Sequence, residues 1–307
     1  MRRATRARRG ITLMEVLIST FVLSIGLLGL AALIPVGQFT LIETAKADRS
    51  GACGRAALRD VDAERMLDWR LWVPQPTGLT NTNLEPFVID PLGVNAGMPA
   101  NFAGLGGFSR RTLISVATGV ALTNIEADRT FRWHDDLVFK RPEDPTLRPV
   151  LDPLQPGLID AGTYSWLLTV VPAKVQDDVI MADKTFYQIS IVVCYRRDFD
   201  PSGVGEHLTR ATISPGGWGG GAVVLADKQV VKEDEWIMLC DTTSEQCHWY
   251  RVVAAGESPT DQLQLMGPDW DTTGSAQADA VIVDNVVGVY TVTVDLEDDY
   301  SLWSRPN

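Results

Sequence analysis

The chain has 307 residues, 45% hydrophobic and 21% charged, which leaves room for one large domain or two small ones and excludes a disordered chain, a collagen-like repeat and a disulfide miniprotein. The formal net charge is −12, yet five of the 27 Lys and Arg residues (Arg2, Arg3, Arg6, Arg8 and Arg9) fall in the first ten positions, so the remainder carries 22 basic against 39 acidic residues, a balance of −17. An acidic body of this kind argues against broad nucleic-acid binding, which needs cations against phosphates.

The first element is apolar. Ile11 to Ile34 reads ITLMEVLISTFVLSIGLLGLAALI, with Glu15 as its one charge. As a helix it would span ~36 Å, enough to cross a ~30 Å hydrocarbon core. The Arg cluster before it keeps residues 1–10 cytoplasmic by the positive-inside rule, with the acidic bulk outside. A secretory signal peptide with a small-residue site near Gly29-Leu30-Ala31, a plain signal anchor and a twin-arginine leader at Arg8-Arg9 are the bland alternatives. Glu15 strains the first two, because a carboxylate in an apolar helix costs roughly 2.5–3.5 kcal/mol on insertion scales and calls for a partner or a purpose.

The string Gly10-Ile11-Thr12-Leu13-Met14-Glu15-Val16-Leu17 closely resembles the prepilin-type signal of type IV pilins and type II secretion pseudopilins. The run Ser24-Ile25-Gly26-Leu27-Leu28-Gly29-Leu30-Ala31-Ala32-Leu33 is most similar to PilV-type minor pilins and I-class minor pseudopilins. The resemblance implies cleavage by a prepilin peptidase after Gly10, N-methylation of Ile11 (where the family most often has Phe) and retention of residues 11–34 as membrane anchor and later filament core. In that family the acidic residue corresponding to Glu15 pairs with the amino terminus of a neighbouring subunit. The electrostatics of such a pair are favourable, since a cation and a carboxylate attract strongly in a low-dielectric layer. First and fifth helical residues are also close enough to neutralise each other within one chain. The resemblance covers about the first 60 residues. It implies an α+β, pilin-like fold with a long N-terminal transmembrane and amphipathic helix and a mainly antiparallel β head. It also implies a non-enzymatic minor subunit in the inner membrane with a periplasmic head, and as partners the peptidase, other pilin or pseudopilin subunits and an inner-membrane assembly platform. Minor pilins of uptake machines bind DNA, but the acidic body offers no basic face, so no nucleic acid is expected.

Residues 35–73 are expected to continue the helix. Pro35 marks a kink or short unwound stretch. Beyond it Leu41, Ile42, Ala45, Cys53, Ala57, Leu58, Val61 and Met66 recur at three- and four-residue spacing among charged positions, and Pro74 and Pro76 end the helix. Residues 74–163 are rich in Pro, Gly and Asn and read as a loop-rich insertion, with five prolines at 142, 145, 149, 153 and 156. From Tyr164 the chain is β: Tyr164–Val171 and Thr185–Tyr195 are long β-branched runs. Residues 164–307 form a β-rich head of one or two subregions joined at the Gly-rich stretch 215–221, read as a linker. Ala222–Ala226, Trp236–Cys240, Cys247–Val253, Gln262–Met266 and Ala280–Val294 follow as short strands of a small antiparallel sheet or barrel, the last of them split or bulged near Asp284-Asn285 and Gly288.

Candidate sites are few. Cys240 and Cys247 bracket a polar turn and are placed for a disulfide across paired strands in an oxidising compartment, whereas Cys53 and Cys194 read as small buried hydrophobes. Asp198, Asp200, Ser202 and Glu206, with Gly203 at the sixth position, resemble the start of a calcium loop, but the twelfth position is Thr209, and an acidic turn is the simpler reading. His134, His207 and His248 lie far apart with no HExxH or CxxC near them, which argues against a zinc hydrolase, and His248 reads as structural. No nucleophile–base arrangement is present in the sequence. The rival to a filament subunit is a signal-anchored periplasmic binding protein or enzyme acting through its β head.

Overall fold

The structure, a computed structural model, describes residues 13–74, 85–133, 138–139, 159–160, 163–173, 186–214, 217–241, 246–257, 259–271 and 276–295. The chain divides into two units, Met1–Asp48 and Arg49–Asn307, and helix α1 (Leu13–Ala63, 51 residues) runs through the boundary.

In the first unit α1 is the one helix among the described residues long and apolar enough to cross a membrane, and its apolar window is wholly exposed. Two of its hydroxyls bond to the helix itself: Thr20 donates to the carbonyls of Val16 and Leu17, and Ser24 to that of Thr20 at 2.7 Å. That leaves neither hydroxyl proton seeking water, a requirement of a segment in lipid. The helix is continuous through Pro35, so the expected unwound stretch is absent; the ring removes one backbone donor but leaves the turns on either side intact.

In the second unit α1 ends at Ala63, ten residues before the position expected from Pro74. The terminus is a Schellman motif with Arg65 in the left-handed position usually given to Gly (φ 54°). The Met66 amide donates to the Val61 carbonyl at 3.0 Å and the Arg65 amide to Asp62 at 3.1 Å. Val61 and Met66 are both buried, which supplies the apolar contact that accompanies this stop.

Strands β1 (Trp72–Pro74), β2 (Phe87–Ile89) and β3 (Ser109–Leu113) follow, with helices α2 (Pro91–Ala96) and α3 (Asn124–Phe131). α2 starts from Asp90, whose carboxylate accepts from the Gly93 amide, with Pro91 in the first turn. α3 carries a full capping box between Thr123 and Glu126. Short strands β4 (Val138–Phe139) and β5 (Ile159–Asp160) pair with each other. Strands β6 (Tyr164–Ala173), β7 (Phe186–Tyr195), β8 (Glu206–Ile213), β9 (Ala222–Gln229), β10 (Trp236–Asp241), β11 (Gln246–Ala255), β12 (Thr260–Met266), β13 (Gln277–Val283) and β14 (Val286–Asp295) complete the body.

Two β structures result. A six-stranded sheet has the order β1-β3-β2-β6-β7-β14, antiparallel except for the β2–β3 pair. The strands β8 to β13 close into a barrel of order β10-β11-β12-β9-β8-β13. The barrel is therefore an insertion between two neighbouring strands of the sheet, β7 and β14. Two expectations are corrected. Within 74–163, the described residues 85–133 supply two strands of the sheet, β2 and β3, which lie between β1 and β6, so this part is not an insertion outside it; the proline-rich 140–158 lies outside the described residues. The Gly-rich stretch 215–221 is a connection between barrel strands β8 and β9. The division between the two β structures lies instead at 196–205 and at the Asp284-Asn285 turn.

The sheet has cores on both faces. Trp166, Leu168 and Val170 of β6 with Tyr187, Ile189, Ile191 and Val193 of β7 pack in one cluster with Cys53, Ala57 and Val61 of α1 and with Phe131 of α3. The alternate residues Leu167, Val171, Val192 and Cys194 pack in a second cluster with Met238, Cys240, Cys247, Trp249, Val281 and Val283 on the outer wall of the barrel. The Trp249 indole donates to Thr169 Oγ1 at 3.1 Å across this contact. Barrel residues Ala211, Leu225, Leu239, Tyr250, Leu263 and Ala280 belong to a third cluster. At the helix, Gly54 lies so close to β14 that a Cβ there would meet the Tyr290 ring at 2.3 Å.

Candidate functional site

The sequence-derived processing site, Gly10-Ile11, lies outside the described residues. Glu15 is placed: it is the acidic residue of the first turn of α1, where a carboxylate is favourable to the helix dipole. It is followed by the exposed apolar residues Val16, Leu17, Ile18, Phe21, Val22 and Leu23. The element that carries the resemblance is thus a helix with an acid at its N-terminal end and no tertiary cover over its apolar window.

Cys240 and Cys247 are opposite each other in the β10–β11 register and form a disulfide. The bridge lies in the cluster between barrel and sheet. Cys53 and Cys194 are free and buried; burial pushes the Cys194 thiol up to about 11, so it is an inert thiol and not a nucleophile.

The calcium candidate is not assembled. Asp198, Asp200 and Ser202 form an exposed turn in which the Asp200 carboxylate accepts from the Ser202 hydroxyl and amide, at 2.5 and 2.7 Å; these bonds hold its pKa below the ordinary carboxylate value. Glu206 points elsewhere. Both its oxygens are taken by Arg110, at 2.9 and 2.6 Å, one also by Arg197 at 3.0 Å, and the Ala103 amide donates to it as well. Among the described residues no group of three or more His, Cys, Asp or Glu is placed to hold a metal. The expectation for Glu206 is corrected: its charge is neutralised by guanidiniums and not left for a cation.

Sequence reasoning missed the cluster that Glu206 joins. Asp90, Arg110, Arg197 and Glu206 are all buried. Arg197 grips the Asp90 carboxylate with two bonds, at 2.8 and 2.6 Å, and Arg110 also donates to Asp90. The Arg110 Nε donates to the Pro99 carbonyl at 3.0 Å. Two cations and two anions cancel, so the group is neutral as a whole. Burial lowers the Arg110 pKa. For Glu206 burial pulls upward, but Arg110, Arg197 and the hydrogen bonds outweigh it, and the net displacement is downward. Gly93 makes room: a Cβ there would sit 2.2 Å from Asp90 and 2.6 Å from Arg110.

The position of the cluster gives its role. Arg197 follows the end of β7 and Glu206 begins β8, so the pair closes the strand that leaves the sheet for the barrel. The return strand is tied to the same place: the Asp284 amide donates to the Gly205 carbonyl at 3.0 Å and the Tyr195 amide to Asn285 at 2.9 Å. The cluster is a structural clamp at the root of the inserted barrel and holds no free acid or base for chemistry. No local signal in the sequence marks it, because its pairs are separated by 20 to 107 positions apart from Arg197–Glu206; the only hint is the pair Arg110-Arg111 in a short strand.

His248 packs edge-on to Tyr250 and Trp270 and its Nδ1 is 2.8 Å from Gln188 Oε1 on β7. Burial lowers its pKa, which fits a neutral ring bridging barrel and sheet.

Comparison with known proteins returns no family model, no curated protein and no solved structure that matches this chain. The functional reading therefore rests on the residues themselves.

Proposed function

We propose that this chain is a non-enzymatic, pilin-like subunit, cut after Gly10 by a prepilin peptidase and assembled from the inner membrane into a type IV pilus or secretion pseudopilus. The observation that carries the reading is the compound N-terminus. A basic decapeptide ends in Gly10, Glu15 stands in the first turn of a 51-residue helix, and that helix is exposed where it is apolar and packed where it is amphipathic. The division suits two tasks in one element. The apolar half partitions into lipid and then into a bundle of like helices, and the second half fixes the sheet to it. Glu15 supplies an anion for the amino terminus of a neighbour, a contact strong in a low-dielectric layer and costly when either charge is left alone. By this reading the N-terminus is cytoplasmic and the β body periplasmic.

One feature supports the second reading, a membrane-anchored protein that works through its β body: the barrel is inserted as a module between two sheet strands, and an anchor alone does not require it.

The mass and N-terminal peptide of the membrane-extracted protein, from cells with and without their prepilin peptidase, separate the two. A chain beginning at Ile11, with one added methyl, only when the peptidase is present is the expected result. A start at Met1 or near Ala32 overturns the proposal. Glu15→Leu is expected to keep the protein in the membrane and abolish its recovery in sheared filaments.

A further inference from the structure

The connection between β8 and β9 fixes its backbone and leaves one large side chain in water. Gly217 and Gly219, on either side of Trp218, both take left-handed conformations (φ 57° and 60°), which side-chain-bearing residues rarely adopt. The turn is tied down by its backbone: the Trp270 amide donates to the Gly217 carbonyl at 2.8 Å, the Gly219 amide to Asp269 Oδ1 at 2.7 Å and the Leu265 amide to the Gly221 carbonyl at 2.9 Å. Gly220 seats on the Tyr250 ring so closely that a Cβ there would meet it at 2.5 Å. Gly217 and Gly220 are buried, whereas Trp218 between them is 79% exposed. Its indole takes no hydrogen bond or ring contact among the described residues. A tryptophan held on a fixed turn is preorganised for contact, and tryptophan is among the side chains most enriched where binding energy is concentrated.

The electrostatic setting selects the contact. The bond to the Gly219 amide places the Asp269 carboxylate one residue from Trp218. That amide is neutral, so the charge is not cancelled, and Oδ2 has no partner among the described residues. Residues 211–226, which include the turn, carry no charge, and between Arg251 and Arg305 the chain has ten Asp and Glu and no Lys or Arg. Strands β12 and β13 come from that stretch. Arg251, opposite Met266 in the β11–β12 register, is held by Asp234 at 2.8 Å and so is not spent on Asp269.

An aromatic face next to an uncompensated anion attracts a cation, most often a guanidinium, whose plane stacks on an indole and whose N–H groups reach a carboxylate. We propose that Trp218 and Asp269 form a docking point for an arginine side chain on a basic segment of another protein, the guanidinium lying on the indole and donating to Asp269 Oδ2. A second copy is a poor occupant, since each body carries the same −17 balance and repels its like. The inference concerns the β body and holds equally for a filament subunit and for a membrane-anchored protein, so its outcome and that of the processing experiment are read separately.

The test is a calorimetric titration of the full chain in neutral detergent with hexa-arginine, at about 0.15 M salt to screen the general field of the body. Trp218→Ala changes no charge, so attraction to the acidic body as a whole would leave the affinity unaltered. The docking point predicts instead a loss of about tenfold, with Trp218→Phe intermediate. Asp269→Asn keeps an acceptor for the Gly219 amide and is expected to lose about fivefold, whereas Glu257→Gln, an exposed acid beyond the other end of β12, changes affinity by less than about twofold. Affinity independent of Trp218, equal losses at Asp269 and Glu257, or no binding of hexa-arginine overturns the inference. So does Trp218-dependent binding of a Gly-Ser hexapeptide or of cellohexaose in its place, which would make the turn an apolar or a sugar platform.

Discussion

The sheet and the barrel bury their strands differently. Central sheet strands β6 and β7 are covered on both faces, by α1 and α3 on one side and by the barrel on the other. Their sequences are consequently near-continuous apolar runs, as in Tyr164–Ala173 and Phe186–Tyr195. Barrel strands β8 and β9 are covered on one face only and alternate: along β8 Thr209, Ala211 and Ile213 are buried, while Leu208, Arg210 and Thr212 are exposed. The difference teaches that the barrel is held to the sheet by one wall, that of β10, β11 and β13, and by the clamp at its root. Stability should be concentrated at those two places and be low on the opposite wall.

The largest effect is expected at the clamp. Glu206→Ala removes one anion and leaves Arg110 and Arg197 sharing Asp90 alone, an uncompensated buried charge that costs about 3–5 kcal/mol. Urea unfolding of the full chain in detergent, followed by a probe in the barrel, checks this; a loss under about 1 kcal/mol would show that the clamp is not closed in solution. The pH dependence has a fixed sign. The folded-state pKa of Glu206 lies below its ordinary value, so its stabilisation is present above the ordinary carboxylate range and is lost as pH falls through the folded value. His248 adds to the acid side, because a ring whose pKa is lowered by burial favours unfolding as pH drops below its ordinary 6.5. Native stability should therefore decline from pH 7 toward pH 3, and Glu206→Ala should flatten the lower part of that decline.

The disulfide comes next. Cys240→Ser with Cys247→Ser opens a loop of sequence separation 7 and is expected to cost about 2 kcal/mol by loop entropy. The loss should appear in unfolding of β10 and β11 with the outer strands of the sheet unaffected, which hydrogen exchange resolves strand by strand. If sheet and barrel lose protection together, the two are one cooperative unit and the contrast between them is only geometric.

How much of this is legible in the sequence follows from the same contrast. The helix, β6, β7 and most of β9 to β14 announce themselves because each carries a run or an alternation of large apolar residues. β8 does not, because two of its three alternating inward positions are Thr209 and Ala211, small enough to fit the barrel's taper but faint as a hydrophobic signal, and Ile213 alone is large. Its first residue, Glu206, reads from sequence as part of the acidic turn at Asp198 and Asp200. β2 and β3 are lost for another reason. They are short, and β3 buries two arginines, Arg110 and Arg111, which an apolar criterion scores as surface. Arg111 is accommodated over the Phe87 ring at 3.9 Å, a contact set by sheet register and invisible to any local window. The early end of α1 is likewise hidden, since Arg65 takes a left-handed conformation that favours Gly.

The smallest effect should be found on the barrel wall away from the sheet, and it is the one that most sharpens the comparison. Val224 on β9 lies opposite Thr212 and Gln262 and is 46% exposed. Val224→Thr keeps the β-branched shape and adds a hydroxyl that water can satisfy, so it should change stability by less than about 0.5 kcal/mol. The same isosteric change made where both faces are covered would bury that hydroxyl without a partner. A loss of about 1 kcal/mol or more at Val224 would mean that this wall is covered in the native protein and not open to water.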